Sequence, residues 1–153
     1  MYVINTGTGS KDNVEILELD KSDYKRISVK SFHFDWSTEV DYSVYKLVHV
    51  NTKEILGLVS LDEIDEESRV EIRLLASSRQ NTGTNKQYER VAGNLISFAA
   101  RVAIKEFGSF ACISLKPKTK LRDYYKKTYT FKEGGVSLFV QGIDLLKLGM
   151  EYE

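Results

Sequence analysis

Apolar residues along this chain recur first with the two-residue period of strands and later with the roughly 3.6-residue period of a helix. Residues 43–50 (SVYKLVHV) and 55–61 (ILGLVSL) are strand-like runs separated by the turn Asn51-Thr52-Lys53-Glu54, and together they predict a hairpin. An acidic connection over residues 62–68 follows. Val70, Ile72, Leu74 and Ala76 then alternate with Glu71, Arg73 and Leu75, which predicts a third strand with one apolar face and Glu71 on the other. A weaker alternation over residues 14–19 predicts an earlier strand, preceded by a Gly/Ser/Thr/Asp loop over residues 5–13.

The stretch between residues 77 and 86 is a polar loop, and beyond it the period lengthens. From Val91 to Phe107 the polar residues Asn94, Ser97, Arg101 and Lys105 fall at helical spacing. Val91, Ala92, Leu95, Ile96, Phe98, Ala99, Val102 and Ala103 fill a broad opposite face, which predicts a largely buried helix. Gly108 stops it, residues 110–115 read as a short apolar strand, and Pro117, the only proline, marks that strand's end. A second helix is predicted over residues 119–129, with Leu121, Tyr124, Tyr125 and Thr128 on one side and Lys120, Lys126 and Lys127 largely on the other. Gly134-Gly135 leads into a last strand over 136–140. This order predicts a mixed α/β (α+β) fold, with a mostly antiparallel mixed sheet and helices on both faces.

Composition narrows what such a fold is for. The 153 residues predict one domain spanning the chain. Twenty-two basic residues balance 22 acidic ones, which argues against a nucleic-acid or anionic-membrane partner. One cysteine, Cys112, excludes an internal disulfide framework, and with apolar neighbours and no nearby histidine it reads as an inert core thiol. His33 and His49 are too isolated to suggest a metal pair, so no metal is expected. No basic segment followed by an apolar core opens the sequence, and no run approaches a membrane span, so the expected location is the cytoplasm.

Gln87 to Ile96 (QYERVAGNLI) places a tight turn at the mouth of the long helix, just after a strand-like run. The first turn of a helix has unpartnered N–H groups and the positive end of the peptide dipole, so such a turn suits a phosphate-bearing ligand. Three blocks in order then resemble the GCN5-related N-acetyltransferase (GNAT) superfamily: residues 70–78 its central splayed strand, Gln87 to Ile96 its phosphate loop and helix start, and residues 124–131 (YYKKTYTF) its Tyr-rich helix. The hairpin ending in Leu56-Gly57-Leu58-Val59 fits its early strands, so the resemblance covers roughly residues 40–140. Arg90 and Ala92 stand where the loop pattern carries its two small residues, and only Gln87 and Ala92 keep the pattern. A competing register uses Gln80, Gly83 and Asn85.

The resemblance implies a GNAT-type fold with a splayed strand pair, and an acetyl-CoA-dependent N-acetyltransferase that transfers directly to a primary amine in a ternary complex. The main chain of Leu74, Leu75 and Ala76 would bond the pantetheine amides, and Gln87, Arg90, Val91, Ala92 and Gly93 would hold the diphosphate, with Lys86 and Arg90 adding charge. Transfer to an amine needs a base for its proton and an acid for the departing thiolate. The resemblance assigns these to Glu71 and Tyr125, with Tyr124 and Tyr129 as alternatives for the acid. The acceptor would be a small-molecule or peptide amine, bounded by Phe34-Asp35-Trp36 and residues 42–45, and a homodimer is compatible with the pattern. The alternative is a catalytically inactive member that keeps the fold as a binding module.

Overall fold

The computed structural model describes residues Met1–Glu153, and the alternating runs of the sequence become its longest strands. The strands are β1 (Tyr2–Asn5), β2 (Lys11–Glu18), β3 (Ser43–His49), β4 (Ile55–Ile64), β5 (Arg69–Ser77), β6 (Tyr88–Glu89), β7 (Cys112–Leu115), β8 (Lys132–Gly134) and β9 (Ser137–Gln141). The α-helices are α1 (Val29–Phe32), α2 (Val91–Phe107), α3 (Arg122–Tyr129) and α4 (Gly142–Glu151). Strand order is β6-β1-β2-β3-β4-β5-β7-β9-β8. β5 and β7 run parallel, whereas β1 is antiparallel to β2 and β6, β2 to β3, and β9 to β7 and β8. This is the mixed, mostly antiparallel sheet that the element order predicts.

The chain divides into two compact units, Met1–Ser60 with Leu74–Leu95, and Leu61–Arg73 with Ile96–Glu153. The first unit holds a core of Phe32, Trp36, Val44, Val48, Ile55, Leu58 and Ala76. Trp36 is 2% exposed. Its Nε1–H donates to the Phe32 carbonyl at 3.0 Å, so the indole meets its hydrogen-bond need inside the protein. It is therefore a core residue rather than an open wall for an acceptor. Short capped turns bring it there: Asp20 caps a 3-10 turn at Lys21–Lys25, Ser28 caps α1, and Asp35 caps a 3-10 turn at Trp36–Glu39. Two buried carboxylates are answered locally, Asp23 by Lys46 Nζ at 2.7 Å and Glu39 by the Ser60 hydroxyl at 2.8 Å.

β1 lies where the sequence pattern shows only a loop and an unassigned start. Four residues are too few to display a period, and β1 exists because β2 and β6 both pair with it. At the other side of this unit Gly57 allows close packing. A Cβ there would stand 2.8 Å from Val91 Cγ1, 2.9 Å from Leu95 Cδ1 and 3.1 Å from the Ala76 carbonyl oxygen.

In the second unit α4, which the apolar spacing did not single out, docks its last turn against α2. Ser97 Oγ–H donates to the Leu148 carbonyl at 2.8 Å, and Arg101 Nη1–H to the Gly149 carbonyl at 2.9 Å. Ser97 is thus fully buried and Arg101 half-buried, although both lie on the polar side of the helical pattern. Their polar atoms cap a helix end, where the final carbonyls have no partner of their own.

The Gly57→Ala variant is expected to lose about 1–3 kcal/mol of stability through overpacking. Urea unfolding at unchanged m-value checks it, and a midpoint equal to wild type would mean that α2 yields freely.

Candidate functional site

The parallel ladder between β5 and β7 runs from Arg69↔Cys112 to Ile72↔Leu115. β7 ends at Leu115, while β5 continues to Ser77. Beyond the ladder Leu74 and Leu75 are half-buried and Ala76 is buried. The three residues expected to offer main-chain groups to an extended ligand therefore occupy the part of β5 that has outrun its parallel neighbour.

After β5 the chain makes a loop tied at its neck. The Gln87 N–H donates to the Gln80 carbonyl at 3.0 Å, and the Tyr88 N–H to Asn81 Oδ1 at 2.7 Å. β1 holds the returning side: the Thr6 N–H donates to the Gln87 carbonyl at 3.0 Å and the Thr6 hydroxyl to the Lys86 carbonyl at 2.6 Å. The main-chain groups of Gln87 are thus engaged within the protein, and its side chain is what remains exposed. Residues 80–85 of the competing register lie within the loop, away from the helix start at Val91.

Arg90, immediately before α2, has φ 79°, in the left-handed region that glycine enters freely and other residues enter at a cost. The backbone thus takes a glycine-like conformation at the loop position where the resemblance substitutes arginine. Its guanidinium lies 4.2 Å from the Tyr2 ring centroid, a cation–π contact. Asn94 secures the same turn: Nδ2 donates to the Arg90 carbonyl at 2.7 Å and to the Tyr2 carbonyl at 2.9 Å. Asn94 is fully buried and its Oδ1 has no hydrogen-bond partner.

The Asn94 N–H donates to the Arg90 carbonyl at 3.1 Å. The amides of Val91, Ala92 and Gly93 come before that bond, at the positive end of a 17-residue helix with no acidic residue in its first turn. This donor set suits an anion such as a diphosphate. Val91 and Gly93 are buried and Ala92 is half-buried. The contribution of Tyr2 and Asn94 was not legible as function: Tyr2 carries no pattern, and Asn94 reads as part of a solvated helix face.

Glu71 stands in the paired part of β5, opposite Ser114 of β7, and is half-buried between the inward-facing Val70 and Ile72. Tyr125 belongs to an aromatic cluster in the same unit, with ring centroids 5.7 Å from Tyr124, 6.1 Å from Tyr129 and 5.9 Å from Phe131. The three tyrosines differ. Tyr124 is exposed, and Tyr129 is buried, its phenol pushed above its ordinary value first by burial and then by the nearby Tyr124. Tyr125 is half-buried, and burial, then the nearby Tyr124, raises its phenol as well. The inward side of α3 is thus Tyr125 and Tyr129, four residues apart, while Leu121 and Thr128 are exposed.

His49 is buried as a structural group. Its Nδ1 accepts the N–H groups of Asn51 and Thr52, both at 3.2 Å, so Nε2–H faces Asp12 Oδ2 at 3.0 Å. That bond holds the Asp12 carboxyl below its usual range. Burial pushes the Cys112 thiol up, away from thiolate reactivity. No group of three or more His, Cys, Asp or Glu residues is gathered as a metal would require, and no helix is long and apolar enough to cross a membrane.

No protein-family model matches the sequence, and no curated protein matches it. Solved structures match the fold. A spermidine N-acetyltransferase SpeG chimera from Vibrio cholerae and hSSAT superposes with TM-score 0.66 at 13% identity, covering 87% of this chain and 98% of that one. A GNAT family acetyltransferase from Elizabethkingia anophelis with acetyl-CoA bound gives 0.65 at 14% identity, covering 86% and 99%. AtaT complexed with acetyl-methionyl-tRNAfMet gives 0.57 at 17% identity, covering 84% and 95%. The chain has the fold of the GNAT acetyltransferases.

Replacing Arg90 by glycine and by alanine separates backbone strain from side-chain contact. Both variants lose the stacking on Tyr2, but only glycine relieves the left-handed turn, so R90G is expected to exceed R90A in stability by about 1 kcal/mol. Equal thermal unfolding of the two variants would contradict a left-handed Arg90.

Proposed function

We propose that the protein is an acetyl-CoA-dependent N-acetyltransferase, a single domain over residues 1–153 acting in the cytoplasm on a small-molecule or peptide primary amine by direct transfer in a ternary complex. One observation carries this reading: β5 continues past the end of its parallel ladder, and the loop after it enters α2 through a left-handed turn whose first helical amides face no first-turn carboxylate. The fold shared with an acetyltransferase that has acetyl-CoA bound supports the cofactor, and the fold shared with a spermidine N-acetyltransferase supports an amine acceptor.

In this reading the main chain of Leu74, Leu75 and Ala76 bonds the pantetheine amides. The amides of Val91, Ala92 and Gly93 hold the diphosphate, with Gln87 and Arg90 at the edge of that turn. Bound acetyl-CoA supplies the thioester. Glu71 takes the proton that the amine nitrogen loses as its bond to the acetyl carbon forms, and Tyr125 gives a proton to the sulfur as the carbon–sulfur bond breaks. The raised phenol of Tyr125 keeps its proton through neutral pH, as an acid must. Tyr129 is a buried aromatic packed against Tyr124 and Tyr125.

A second reading, a binding module that keeps the fold without turnover, is favoured by the Arg90 guanidinium being directed onto Tyr2. Isothermal titration with acetyl-CoA decides between them. Absence of binding at millimolar ligand removes the transferase, and binding without turnover on an amine panel favours the module.

Y125F is expected to lower kcat by about 10²–10⁴-fold while acetyl-CoA affinity stays near wild type. Y129F is expected to lower Tm and spare kcat, and the reverse pattern would move the acid to Tyr129. E71Q is expected to lower kcat and to flatten the acid limb of the pH–rate profile. An unchanged limb would remove Glu71 as the base.

A further inference from the structure

A pocket of about 210 Å³ lies in the first unit, lined by Arg26, Ser31, Phe32, Glu54, Ile55, Ser78 and Gln80. It is far larger than the ~10–15 Å³ that admits one water and smaller than the ~300–1,000 Å³ of drug-sized pockets. Phe32 and Ile55 belong to the core of the unit and give the cavity an apolar floor. Its polar walls carry opposite charges. The Arg26 guanidinium reaches Asp23 Oδ1 at 3.7 Å and the Lys53 carbonyl at 3.4 Å, both long contacts. Asp23 is already paired with Lys46 at 2.7 Å, so Arg26 keeps most of its bonding capacity. Glu54 is half-buried, and no ion pair joins it to Arg26 or to another residue. One small hole is therefore faced by a cation and an anion that do not neutralise each other.

We propose that this cavity binds a zwitterion of amino-acid size, with its carboxylate on Arg26, its ammonium on Glu54 and an apolar side chain over Phe32 and Ile55. The planar guanidinium offers paired donors to a carboxylate, and the free carboxylate of Glu54 accepts from an ammonium. Gln80 also lines the pocket. Ser78 and Gln80 follow β5 directly, and the test below reads binding of the zwitterion without acetyl-CoA, so it is decided separately from the proposed transfer.

An NMR titration of the full chain with L-leucine tests it, alongside L-leucinamide, which lacks the carboxylate, and 4-methylpentanoate, which lacks the ammonium. L-Leucine is expected to shift the amides of Ser31, Ser78 and Gln80 and to bind more tightly than either analogue. R26M is expected to weaken L-leucine by about tenfold or more and to leave L-leucinamide unchanged. E54Q is expected to weaken L-leucine similarly and to leave 4-methylpentanoate unchanged. No perturbation at millimolar L-leucine, or analogues that bind the wild-type protein as tightly as L-leucine, would overturn the proposal. The wild-type comparison decides the matter even where a variant fails to fold.

Discussion

Each backbone N–H and C=O that a strand carries into a protein interior needs a partner, and β5 is where this requirement is sharpest. β5 has nine residues and β7 has four. On the side of β4 its end is satisfied, since the Ser78 N–H donates to the Leu56 carbonyl at 2.8 Å. On the side of β7 the ladder stops at Ile72. Leu74 and Leu75 follow within β5 and are half-buried.

The entrance to α2 shows how a strained turn is kept in place. A left-handed arginine persists only where its surroundings over-determine it. Here the surroundings are β1: its Tyr2 ring lies under the Arg90 guanidinium, its Tyr2 carbonyl accepts from Asn94, and Thr6 secures the preceding Gln87. The cost is visible in the buried Asn94 Oδ1, which has no partner. An amide at this position ties two carbonyls with one nitrogen and leaves its oxygen idle, a disposition that opposes stability and serves the geometry of the turn.

α2 also shows how far a helical pattern can mislead about exposure. Asn94, Ser97, Arg101 and Lys105 form a polar side by spacing, yet only Lys105 is exposed. Asn94 binds the carbonyls of Tyr2 and Arg90, while Ser97 and Arg101 bind those of the last turn of α4. Polar residues at helical spacing are compatible with burial whenever neighbouring chain ends present unpaired carbonyls. The exposed apolar residues Ile143, Leu146 and Met150 obscured α4 by the converse effect, because they blur the contrast with its buried side of Leu145 and Leu148.

From the order and period of its residues alone, the chain specified the β3–β4 hairpin, β5 with Glu71 opposite its apolar face and the bounds of α2, since period and turn chemistry are local properties. Tertiary structure decided that Arg90 adopts a glycine-like turn, that Trp36 belongs to the core, and that Tyr125 and Tyr129 take the inward side of α3. Those outcomes depend on partners distant in sequence. Tyr2 and Asn94 are 92 positions apart, and no window along the chain contains both the strained turn and the strand that holds it.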